Sequence, residues 1–406
     1  MDKSTLSNYG WIVIVTLVLA VMLALATPFG TFVGKGASNV IKTFVQSSDN
    51  AVDEDNIDTQ SEDWDIFLNN TDSEHSAIIP EDGIYESNGN TYTKGETFPE
   101  PQIDDKYTYG NYRYTLINSS LSTFNNEWRC MAIAPTEDNV IFKSPLSYIN
   151  GKPVTVFVTT FSIVKKPYKL ADDFKIPETA RATHMMFNNS TGLSELPEGF
   201  KIPNNVQTQY GMFQRCTNLK KLPESFAFSE NAKDLHWMFL GCSSLETIPE
   251  SFKFPEGTNM VVGLFSQCTS LKSIPSTFKF PNTKNLSLQA VFSNCTSLET
   301  LPANLTLPEN VSGIPYLFQN CSSLKSIPAS FIIDKNIKDM EEAFKGCTSL
   351  TGTLVINADL SKEPINDIYP YTEAFTGTTQ PITIKGSCAE LPQLAASAEN
   401  GNVTIG

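Results

Sequence analysis

Six of the chain's eight cysteines fall on a ruler: Cys216, Cys242, Cys268, Cys295, Cys321 and Cys347, at intervals of 26, 26, 27, 26 and 26 residues. Three chemistries suit cysteines in number. Disulfides suit an exported chain, but thiols that repeat at one slot point the same way, and parallel Cβ vectors fit the disulfide torsion poorly. Zinc sites pair their ligands at short spacing, and one thiol per 26 residues does not. The third role is that of a small buried packing group. Ser190 and Val164 stand in the same slot one and two periods earlier, without a thiol, so the six are read as reduced and buried. Cys130 and Cys388 are too isolated to classify.

Other reactive residues are sparse. His75, His184 and His236 lie far apart without metal-ligand spacing, and His236 reads as a surface or half-buried coil residue. Glu198, Glu224 and Glu250 recur in one column, which suits either calcium or local pairing with Lys201 and Lys253; pairing is the plainer account. No nucleophile stands beside a base, so no catalytic residues, no metal and no cofactor are expected, and the protein is read as not an enzyme. The net charge of −15 leaves no clustered Lys and Arg for nucleic acid. One charged series stands out. Lys220, Glu246, Lys272, Glu299 and Lys325 follow the repeat leucine in five successive units and alternate in sign, which makes them the candidate exposed ladder for binding and for stacking.

The element that positions all of these is a repeat. Each unit reads F-x-x-C-[ST]-[SN]-L-x-x-[LI], usually followed by P-x-x-F-x-[FIL]-P, and "FSQCTSLKSIPSTFKFP" (265–281) shows it whole. Degraded units at 187–203 and 161–177 extend the register upstream, and Phe375 is a late echo. A period of 26 is leucine-rich-repeat length and shorter than the helical repeats, and the recurring proline excludes a long helix. The fold class is therefore a repeat solenoid, a β-rich leucine-rich-repeat right-handed coil spanning 151–378, with a C-terminal cap at 379–406. One unit buries too little alone. Stacking joins Leu219, Leu245, Leu271, Leu298 and Leu324 into one apolar column and Phe213, Phe239, Phe265, Phe292, Phe318 and Phe344 into another.

Upstream, 84–150 reads as a β-rich N-terminal cap, with Asn88-Gly89 as a hairpin turn between short β-prone runs. Residues 46–83 form an acidic stretch inside a span with no Lys or Arg from Thr43 to Thr93, a composition that favours an extended, disordered linker. Residues 1–45 contain the apolar run Trp11–Val33, 23 residues long and sufficient for a transmembrane helix. A cleaved signal peptide is the competing reading, because Ala24-Leu25-Ala26 is a small-x-small site. Either reading exports the rest.

The units "MFQRCTNLKKLP" and "MFLGCSSLETIP" resemble the BspA-like leucine-rich-repeat surface proteins of host-associated bacteria, over about 151–406. The N-terminal segment also resembles a pilin-like leader, apart from Val15 where that leader carries Glu. The BspA-like resemblance implies a cell-surface or secreted protein, some relatives being implicated in adhesion to host matrix proteins or other cells. It transfers no ligand-binding residues, since the shared motif is core. The expected function is an exported surface for protein or glycan binding: anchored by its N-terminus, or secreted if the leader is cleaved, with a matrix protein, mucin or another cell surface as partner. The alternative is a structural envelope or stalk component. Exposed aromatics along the sheet face would favour binding.

Overall fold

Each coil of the protein turns twice through left-handed backbone, five residues and one residue before the cysteine slot. The pairs run from Thr159 and Ile163 (φ 59° and 67°) through Gly211 and Arg215 (58° and 57°) to Glu373 and Gly377 (53° and 77°). Non-glycine residues enter this region at a cost of about 1–3 kcal/mol each. The compensation is that alternate amides are aimed along the stack. Met185, Phe187 and Asn189 donate to the carbonyls of Tyr210, Met212 and Gln214 in the next coil at 2.8–3.0 Å, while Met186, Asn188 and Ser190 close three-residue turns at 2.9–3.1 Å. The same pattern recurs coil by coil up to Gly346, which donates to Thr376.

The structure is a computed structural model that describes residues 79, 82–118, 125–284, 286–361, 369–398 and 400–406. It shows a β-solenoid of about nine turns with a period of roughly 26–28 residues. Along its axis Phe161, Phe187, Phe213, Phe239, Phe265, Phe292, Phe318, Phe344 and Phe375 form a continuous ring stack with centroids 4.9–6.0 Å apart. All nine are fully buried. Leu193, Leu219, Leu245, Leu271, Leu298, Leu324 and Leu350 make the second column, also fully buried. The coil walls are less strand-like than the sequence suggests. Most inter-coil pairing comes from single parallel bridges such as Thr208↔Asp234↔Met260↔Ser287 and Lys221↔Thr247, because the prolines and left-handed turns leave only one or two extended residues per wall.

The cysteine slot lies inside this core. All eight cysteines are free and buried. In the repeat each thiol donates to the carbonyl of the phenylalanine one coil earlier, as in Cys216 Sγ to Phe187 O and Cys242 Sγ to Phe213 O, both 3.1 Å. Val164, Ser190 and Thr378 fill the slot in the outer coils. Burial pushes every repeat thiol up, with Cys242, Cys295 and Cys347 reaching about 12.

The N-terminal cap is built from β1 (Gly83–Ser87), β2 (Asn90–Tyr92), β3 (Lys106–Tyr109), β4 (Tyr112–Asn118), β5 (Asn125–Ala132), β6 (Val140–Phe142) and β7 (Tyr148–Ile149). The first full coil brings β8 (Lys152–Val156) and β9 (Tyr168–Leu170). Seven strands form one sheet in the order β2-β1-β3-β4-β5-β8-β7. The Asn88-Gly89 hairpin turn is present, both residues having positive φ. Strand β5 is the converter. It runs antiparallel to β4 but parallel to β8, and Val156 then bridges Ala182 to start the solenoid ladder. Glu127 of β5 locks the joint, accepting from Thr155 Oγ1 at 2.5 Å and from Arg181 Nη1 at 3.0 Å.

Two boundaries differ from the sequence reading. Ile79, placed there in the acidic linker, is buried and exchanges backbone hydrogen bonds with Gly95 and Glu96. Stacking also begins before residue 151, since β6 pairs in parallel with β9. At the far end β10 (Gly352–Val355), β11 (Ile382–Lys385) and β12 (Val403–Ile405) continue the parallel stack. The helix α1 (Leu391–Ala396) leads into Ser397, whose Oγ accepts the Phe375 amide at 3.2 Å. Among the described residues no helix is long and apolar enough to cross a membrane. The segment 1–45 read as anchor or leader lies outside them, as does His75.

Buried thiols with raised pKa should resist alkylation in the folded protein at pH 8. In denaturant without reductant, all six repeat cysteines should become modified. Mass spectra showing neighbouring repeat cysteines linked in pairs would overturn the reduced ladder.

Candidate binding surface

Six residues before the cysteine slot, one wall of the solenoid carries His184, Tyr210 and His236 in successive coils. The preceding residues Thr183, Gln209 and Leu235 are fully buried. Alternation along the extended wall therefore turns the next side chain outward. The rings stack face to face: His184 on Tyr210 at 4.8 Å and 17°, Tyr210 on His236 at 4.7 Å and 7°. Trp237 then meets His236 edge to face at 4.8 Å. Its indole lies over Gly263, where a Cβ would come within 2.8 Å of the indole Cδ1, so the next coil has room for this side chain only as glycine. All four rings are half-buried, and none belongs to the Phe or Leu columns.

Burial holds His184 and Tyr210 neutral. Desolvation pushes His184 down to about 4; Asp234 opposes this, while Arg129 and His236 add to it. Tyr210 is pushed up to about 12 by burial and by the Asp234 charge, so its hydroxyl stays protonated. Asp234 Oδ1 sits 2.5 Å from His236 Nδ1 and also accepts the His236 amide at 3.1 Å. Arg129, from β5, donates through Nη2 to Thr159 at 3.0 Å, and its buried Nε has no partner. Directly behind the strip, Thr183 Oγ1 and Gln209 Oε1 are buried and unpartnered.

The five-residue charge ladder lies elsewhere, after the leucine column. Its register is as the period requires: the amides of Glu246, Lys272, Glu299 and Lys325 donate to the carbonyls of Lys220, Glu246, Lys272 and Glu299 at 2.9–3.3 Å. Lys272 pairs with Glu246 at 3.4 Å and Lys325 with Glu299 at 2.5 Å, all exposed. The Lys325 ammonium, by hydrogen bond and by charge, holds the Glu299 carboxyl below its usual range. These side chains largely neutralise one another, so the ladder offers a ligand little net field.

The glutamate column resolves differently from the sequence reading. Among the described residues no ion pair joins Glu250 to Lys253 or Glu198 to Lys201. Glu250 instead accepts from the amides and hydroxyls of Ser276 and Thr277 in the next coil at 3.1–3.4 Å. Among the described residues no group of three or more His, Cys, Asp or Glu is placed to hold a metal ion.

Sequence reasoning missed the aromatic strip because it judged the histidines by their separation. The signal was present: His184 and His236 are 52 residues apart, two whole periods, with Tyr210 midway.

Among known families, the one described as "BspA type Leucine rich repeat region" matches the chain in six copies, over 171–299 and 238–362. No curated protein matches it.

Two outcomes follow from the two ladders. Glu246→Lys replaces attractions by repulsions between directly stacked side chains and should cost about 1 kcal/mol at low salt, less at high salt. Glu246→Gln should cost less, and equal melting temperatures for the two variants would show that the charges do not meet. For His184, whose ordinary value of 6.5 is depressed on folding, the unfolded chain binds the extra proton first, so the site's contribution to stability falls as pH drops from 6.5 toward 4. Thermal melts across that range should show the loss and a shallower dependence in His184→Gln; identical slopes would refute the buried neutral imidazole.

Proposed function

Because the chain is a BspA-like leucine-rich-repeat protein, we propose that it is an exported surface module that holds an extracellular macromolecule on one wall of its solenoid. In this reading the N-terminal segment anchors it at the cell surface, or the chain is secreted where the leader is cut. A structural stalk needs only the buried columns and the neutral charge ladder. The observation that carries the binding reading is the strip His184–Tyr210–His236–Trp237: four half-buried rings that the core does not use. Aromatic side chains already immobilised by stacking lose little freedom when a partner covers them, which is why Trp and Tyr dominate interface energetics. The function is binding and not catalysis, and it calls for no cofactor and no nucleic acid.

The test uses intact cells that produce the full chain. They should capture extracellular matrix protein or mucin, lose capture when protease is applied from outside, and lose most of it with Trp237→Ala. Capture that is absent, or unchanged by Trp237→Ala at equal surface amounts, would refute this assignment.

A further inference from the structure

The sheet of the N-terminal cap turns one face away from the core, and strand register fixes what that face carries. Tyr107, Tyr114 and Cys130 stand opposite one another on β3, β4 and β5 and are buried. By the two-residue alternation of a strand, the residues flanking them point outward. Two rows result. Glu86, Lys106, Thr115 and Arg129 are directly opposed across β1, β3, β4 and β5, and Ile84, Thr108, Arg113 and Met131 make the adjoining row. Directly opposed side chains lie about 5 Å apart at Cβ and diagonal ones about 7–8 Å. Thr115 therefore has Lys106 on one side, Arg129 on the other, and Arg113 two residues along its own strand.

Carboxylates do not match these cations. Among the described residues neither the Lys106 nor the Arg113 side chain has an ion pair or a hydrogen-bonded acceptor. Arg129 is half-buried: its Nη2 donates to Thr159 at 3.0 Å, and its buried Nε has no partner. Glu127, two residues along β5 from Arg129, is taken by Thr155 and Arg181. Glu86 lies beyond Lys106, on the side away from Thr115. The solenoid treats its charges differently, for Lys272 and Lys325 pair with Glu246 and Glu299, and Lys345 bridges Glu342 and Glu373. Withdrawing a guanidinium from water without a counter-charge is costly, and an anion supplied from outside would offset that cost.

We propose that the outer face of the cap binds a sulfated extracellular polysaccharide, with one sulfate ester seated over Thr115 between Lys106, Arg113 and Arg129. Cations that converge on one point from three strands match a group with three terminal oxygens. A carboxylate presents two oxygens in one plane and suits a single guanidinium fork. A phosphate monoester offers the same tetrahedral chemistry, and the choice of a glycan over a lipid headgroup rests on the extracellular reading above. The site itself is separate from the ring strip.

The experiment takes the full chain in detergent and fluorescein-labelled chondroitin sulfate. Hyaluronate, a linear uronic-acid polymer without sulfate, is the carboxylate probe, and mixed micelles of phosphatidylglycerol are the phosphate probe. Anisotropy should show binding of chondroitin sulfate that weakens with salt and is about tenfold or more tighter than that of hyaluronate. Arg113→Gln and Arg129→Gln should each weaken it about tenfold, the loss of one charge-assisted hydrogen bond. Arg113 is exposed, so its variant reads a lost contact even where Arg129→Gln also loosens the joint beside Thr159. Lys279→Gln, the same charge change at an exposed position of the solenoid, should leave binding unchanged. Hyaluronate binding as tightly as chondroitin sulfate, or equal weakening by Lys279→Gln, would reduce the effect to diffuse charge and overturn the site. Displacement by phosphatidylglycerol as effective as by unlabelled chondroitin sulfate would assign the face to a lipid surface and also overturn it. The capture test on intact cells reads the ring strip through Trp237→Ala and this one reads the cap through Arg113→Gln, so either site can fail without the other.

Discussion

Every coil of this protein depends on the next one for the partners of its own backbone. The Phe-x-x-Cys turn aims alternate amides along the axis, and each needs a carbonyl from the following coil, since an orphaned buried amide costs about 1–3 kcal/mol. That need sets the left-handed positions, which orient the amides, and it sets the two ends. At the N-terminal end β5 converts an antiparallel sheet into the first parallel rung. At the C-terminal end Ser397 accepts the amide of Phe375, the last ring of the stack.

The cysteine column follows from the same constraint. The phenylalanine carbonyl already takes one turn amide, as Phe187 O takes that of Ser190, and a second lone pair remains in a fully buried place. A thiol is small and apolar enough to pack there, and its weak donor reaches that oxygen at 3.1–3.3 Å in coil after coil. Valine at 164 packs without donating. Serine at 190 turns instead to Tyr168, at 2.8 Å. Cysteine satisfies both demands, and so its regularity is a packing regularity.

Stacking also organises the surface. A residue type repeated at the period becomes a ladder one side chain wide, whether or not the core requires it. The Lys–Glu series supports the stack by pairing internally. The His–Tyr–His series stacks ring on ring, so one column is held by paired charges and the other by paired ring faces.

Position in the period was legible in the sequence. The 26-residue spacing, the Phe and Leu columns, the single cysteine slot and the stacking of Lys220, Glu246, Lys272, Glu299 and Lys325 all follow from counting, because a buried column admits few residue types and so announces itself. Outward positions admit nearly any residue, and there the pattern falls silent. The spacing of His184, Tyr210 and His236 puts them in one column, but that their rings stack on one another, that Glu250 holds Ser276 and Thr277 in the next coil and not Lys253, and that Ile79 belongs to the cap were decided only by the fold. Each depends on which side chains meet across coils, and a contact between residues 26 apart exists only once the stack has formed.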